Sequence, residues 1–154
     1  MKTKTFTLIS VLIALSVVGS FIQIPSPAGT VAFDSLPGYV AAGVFGPVVG
    51  GFVGTIGHLL NASLKGFPLT LPIHLLISCF MFLAMVAFGF FYKKNKTVAI
   101  VTATLINGPF SLVPFVFIIG PEFVVAMLIP LTVASFVNIL IAAIIVPSLK
   151  RING

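Results

Sequence analysis

The residues able to do chemistry in this chain are few, and they fall in three places. Asp34 stands in a proline- and glycine-rich stretch, IPSPAGTVAFDSLPGY at 24–39. His58, Asn61 and Lys65 follow within seven positions, and His74 comes 16 positions after His58. Asn107 precedes the prolines Pro109 and Pro114, with Glu122 and Asn138 further on. Imidazole, amide and carboxylate groups bind polar ligands or, in an enzyme, carry protons. The spacings of familiar catalytic sites are missing. No glutamate adjoins either histidine, as a zinc-protease helix requires, and there is neither a GxSxG elbow nor a phosphate loop. The one cysteine, Cys79, forms no intrachain disulfide or zinc cluster. No cofactor is expected.

The elements that hold these groups must sit in lipid. The 154 residues are 59% hydrophobic and 6% charged, whereas a soluble domain carries about 25% charged residues. Apolar lengths give spans at about 5–24, 71–92, 97–119 and 123–149. The intervening Ser35–Lys65 holds 31 residues. As one helix it would reach about 46 Å, too long for a ~30 Å hydrocarbon core. GPVVGG at 46–51 breaks it, giving spans at 35–47 and 48–65. With six spans, Lys2, Lys4, Lys93, Lys94, Lys96, Lys150 and Arg151 share the cytoplasmic side and Lys65 lies opposite. The expected fold is an all-α integral membrane protein, one compact six-transmembrane-helix bundle over 1–154 with both termini cytoplasmic. The basic start is read as the first span rather than a cleaved leader, because its apolar run continues through Ile24.

That topology gathers Asp34, His58, Asn61, Lys65, His74, Glu122 and the expected kink at Pro109 and Pro114 toward the outer half, leaving the inner half apolar apart from Asn138. Such asymmetry suits a pocket open outward. Phe33, Phe67, Phe110 and Phe115 stand where they could stack on a flat ligand. Simpler roles compete. Asp34 could cap the following helix, Glu122 could serve a helix N-terminus, and Lys65 could snorkel. Gly46, Gly50 and Gly54 suit internal packing, and the small residues of the first helix suit docking to a membrane partner.

LIALSVVGSFIQIPSPAGTVAFDSLPGYVAAGVFGPVVGGFVGTIGHLL, followed by GFPLTLPIHLL, resembles the substrate-capture (S) components of energy-coupling factor (ECF) vitamin transporters. The resemblance implies a subunit without chemistry of its own, which binds a vitamin at the outer face of the plasma membrane. It then topples against a transmembrane scaffold subunit driven by two cytoplasmic ATPases. It implies a pocket built from the first outer loop, the loop after the third helix and the outer parts of the last three. Here those carry Thr30, Phe33, Asp34, His58, Asn61, Lys65, Phe67, His74, Asn107 and Phe110. The family's alanine strip for scaffold docking falls on Ser10, Ala14 and Val18, where only Ala14 matches. Within the family, PSPAGTVAFDSLPGY and GHLL…GFPL look most like members assigned to α-ribazole, a cobalamin precursor. The alternatives are a membrane scaffold or assembly protein, and an intramembrane enzyme using His58 or His74 with Asp34. No nucleic-acid partner is expected.

Overall fold

The computed structural model of the chain describes residues 3–26 and 29–153. Lys2 and Pro27, read above as part of a basic end and of a stiff loop, lie outside them. The order is helix α1 (Thr3–Gly19), strands β1 (Gln23–Ser26) and β2 (Gly29–Ala32), a 3-10 turn at Phe33–Ser35, then α2 (Leu36–Val44), α3 (Pro47–Leu64) and α4 (Leu71–Tyr92). After these come α5 (Lys96–Leu105), a π turn at Ile106–Phe110, α6 (Phe115–Ile118) and α7 (Pro121–Asn153). A helical segment stands at each of the six places where the sequence pattern puts one. Four are long and apolar enough to cross a membrane: Pro47–Leu64, Leu71–Tyr92, Lys96–Ile118 and Pro121–Arg151. The apolar α1 has 17 residues. The nine residues of α2 rise only about 13 Å, too little to cross alone, and seven of them are buried.

The first helix ends sooner than its apolar run suggests. It stops at Gly19, and Gln23–Ser26 pairs antiparallel with Gly29–Ala32, from Gln23 opposite Ala32 to Ser26 opposite Gly29. Phe33 N–H donates to the Ile22 carbonyl at 3.1 Å, carrying the return strand back to the helix end. Gly19 permits this approach: a Cβ there would lie 2.5 Å from the Phe33 carbonyl oxygen.

Small residues set the helix packing. Gly46 turns the chain between α2 and α3 at φ 118°, a conformation that favours glycine. Gly50 then lies against Ala42 with no room for a side chain. Gly57 meets Ser16, so α1 packs on α3 through its buried Ser16. Ser10, Ala14 and Val18 lie on an exposed face of α1. Tyr39, Met85, Phe88, Ile139 and Val146 form the fully buried centre, with the Tyr39 and Phe88 rings edge to face at 5.5 Å. Tyr92 O–H donates to the Ala143 carbonyl at 2.8 Å and fastens the end of α4 to α7. Lys96 and Lys150 lie 5.7 and 5.5 Å from the Tyr92 ring centre, so these cations share one end of the bundle.

The expected kink is present. Gly108 leaves helical geometry at φ −93° and ψ −105°, and Pro109 follows inside the π turn. Ser111 Oγ lies 2.9 Å from both the Asn107 and the Gly108 carbonyl oxygens, so its hydroxyl serves backbone of the kinked turn inside the protein.

Candidate functional site

A cavity of about 370 Å³ opens between the hairpin, the loop after α3 and the facing helices, within the size range of small-molecule sites. Val31, Ala32, Asp34 and Ser35 border it from the hairpin and the 3-10 turn, His58, Asn61 and Ala62 from α3, and Lys65 from just past its end. Pro68 and Leu69 come from the loop, and His74, Ile77 and Met81 from α4. Asn107, Ser111, Leu112 and Phe115 come from the kinked segment. The far wall is one face of α7, read along Phe123, Met127, Leu131, Ala134, Ser135 and Asn138.

One wall carries a hydrogen-bonded chain. The buried carboxylate of Asp34 lies 3.0 Å from His58 Nδ1 and accepts from Asn61 Nδ2 at 3.3 Å. His58 Nε2 lies 3.2 Å from His74 Nδ1. His58 and Asn61 are three residues apart on α3, which places both on one helix face, and both meet one Asp34 oxygen. The carboxylate is thus held by side chains of α3. The capping role considered for Asp34 is not found: Ser35 holds the cap position of α2, without a side-chain bond to the helix.

A second polar part of the lining is amide and hydroxyl. Asn107 Nδ2 donates to Ser135 Oγ at 2.9 Å and ties the kink to α7. Asn138 Nδ2 donates to the Ala134 carbonyl at 2.8 Å. The loop Lys65–Thr70 is tightly wound, with Phe67 at φ 50° and Thr70 at φ 75°. Non-glycine residues rarely adopt that region and are held there by their surroundings. The Phe67 ring lies 5.8 Å from that of His74, and Lys65 Nζ reaches the Ser20 carbonyl at 3.5 Å.

Of the residues singled out in the sequence, Asp34, His58, Asn61, Lys65, His74 and Asn107 border the cavity. Phe67 stands behind His74. Phe33 lies in the 3-10 turn with its carbonyl against Gly19, away from the cavity lining. Phe110 is 54% exposed and borders a shallow apolar groove with Phe80, Leu83 and Phe90, because the π turn rotates it off the inner face. Thr30 belongs to β2 and pairs with Pro25; its side chain lies outside what is described. Asn138, read from the sequence as a lone polar group in an apolar half, instead borders the cavity. The resemblance implied that the last helix contributes to the pocket, but the sequence reading named no site residue on the α7 wall. Its signal was present as the stripe 123, 127, 131, 134 and 138, spaced by three and four residues.

A family model described as "ECF transporter, substrate-specific component" matches residues 4–149. No curated protein matches the chain.

Proposed function

The chain belongs to the family of substrate-specific components of ECF transporters, and from that premise we propose that it is the high-affinity binding subunit of an ATP-driven uptake transporter. It resides in the plasma membrane with six membrane segments and both termini cytoplasmic. It works with an ECF transmembrane scaffold subunit and two cytoplasmic ATPase subunits. Its ligand is a vitamin or vitamin precursor, and α-ribazole is the compound we favour. ATP hydrolysis belongs to the partner subunits.

The observation that carries the reading is the cavity of about 370 Å³. Its lining joins two polar groups of residues with the apolar Ile77, Met81, Leu112, Phe115, Phe123 and Leu131. An aromatic heterocycle suits the apolar residues, and ribose hydroxyls suit the Asp34–His58–His74 group or the Asn107–Asn138 group. Val31 and Ala32 of the hairpin and Pro68 and Leu69 of the loop after α3 border the same space. Ligand binding orders these two segments as a lid. Closure buries polar groups that were wet, so the outer face costs less to turn within lipid. The exposed Ser10, Ala14 and Val18 face of α1 is offered to the scaffold, since small residues allow helices to approach closely in a membrane.

The test is calorimetry of purified protein with α-ribazole. Saturable one-to-one binding without partners, and uptake only with them, are expected. Failure to bind it while another vitamin co-purifies would leave the transporter reading and remove α-ribazole.

A further inference from the structure

One oxygen of Asp34, Oδ2, is committed to His58 and Asn61. A carboxylate only accepts hydrogen bonds, so His58 Nδ1, 3.0 Å away, carries a proton. In a neutral imidazole the other nitrogen then accepts. His58 Nε2 therefore takes the proton offered by His74 Nδ1 at 3.2 Å, and His74 Nε2 is left as a bare acceptor. That nitrogen is buried and has no partner among the described residues, and His74 borders the cavity. A second group reaches the same state independently. The Ala134 carbonyl cannot donate, so the Asn138 nitrogen must face it at 2.8 Å. Asn138 Oδ1 is thereby left buried, and unpartnered among the described residues, on a residue that borders the cavity.

Unpaired buried acceptors are costly, and a ligand that donates to them removes the cost. We infer that the cavity selects a ligand with an apolar body and at least two hydrogen-bond donors, hydroxyl or N–H, one for His74 Nε2 and one for Asn138 Oδ1; both atoms are closed off in the empty cavity, and a small turn of each side chain brings them to the ligand. Asp34 is a positioning residue in this scheme. It acts through His58 by fixing which nitrogen of His74 is bare. The inference rests on the binding function proposed above and adds to it the polarity of the ligand.

The proton order is read without any ligand, from the ring-nitrogen NMR signals of histidine-labelled protein in nanodiscs at neutral pH. Protons on Nδ1 of both His58 and His74, with both Nε2 bare, are expected. In Asp34→Ala both tautomers of His58 should appear. A proton on His74 Nε2, or two ring protons on His58, overturns the scheme. Binding supplies the second arm, with α-ribazole and its O-methylated form, which keeps the aromatic body and loses the donors. The unaltered protein should prefer the free hydroxyls by about a hundredfold, roughly tenfold for each of two hydrogen bonds to buried acceptors. His74→Phe and Asn138→Leu should each shrink that preference, and His74→Gln, which restores an acceptor, should recover part of what His74→Phe loses. Equal preference in all four proteins overturns the ligand selection. Binding of neither compound to the unaltered protein refutes the α-ribazole assignment and the selection drawn on it, and the nitrogen spectrum separates that failure from a wrong proton order.

Discussion

The carboxylate of Asp34 sets the character of one cavity wall because it has two donors, His58 Nδ1 and Asn61 Nδ2, on one oxygen. Asp34→Ala leaves both donors without that acceptor, and a lost bond of this kind costs about 1–3 kcal/mol. Binding of α-ribazole should weaken by about tenfold or more while circular dichroism stays helical; unchanged affinity would remove Asp34 from the site. The sequence made Asp34, His58 and His74 suspects through their rarity in an apolar chain. It did not show that they touch, since contacts across 24 and 16 positions depend on how the 3-10 turn and α4 each face α3. Nor did it separate Phe115, which borders the cavity, from Phe110, which does not. That difference comes from the turn at Gly108 and Pro109.

Among the elements, the kink and the glycine contacts make the clearest demands. Gly50 lies against Ala42 without space for a side chain, so Gly50→Val should cost roughly 1–3 kcal/mol of stability by overpacking, read as a lower melting temperature in detergent. Tyr92→Phe, losing the bond to the Ala143 carbonyl, should cost about 1 kcal/mol without changing affinity, since Tyr92 stands at the end of the bundle with Lys96 and Lys150. Ala14→Trp on the exposed face of α1 should keep affinity within about twofold and lower uptake at least tenfold, because a bulky side chain blocks close helix approach; normal uptake would clear that face of a docking role. Helix positions were legible from apolar length, and the breaks at Pro47 and Pro109 from proline chemistry. The hairpin was hidden, because the apolar run through Ile24 reads as continued helix while QIPS and GTVA are too short to show a strand period.

At the scale of the molecule, basic residues around Tyr92 and Lys150 mark one end, and the cavity with its hairpin and tight loop lies away from them, toward Asp34, Lys65 and His74. Membrane character was plain from composition, and the family match over 4–149 agrees with the resemblance drawn from the stretches at 12–60 and 66–76. The length of α2 was not legible: a nine-residue buried helix and a short span look alike when both are apolar. The central claim is that this chain alone captures a small molecule. Native mass spectrometry of the protein, released gently from detergent, tests it most directly. One non-lipid adduct per chain is expected, of a mass matching a donor-bearing heterocycle and lost in Asp34→Ala. Bare protein only, before and after incubation with α-ribazole and the common vitamins, would contradict the account.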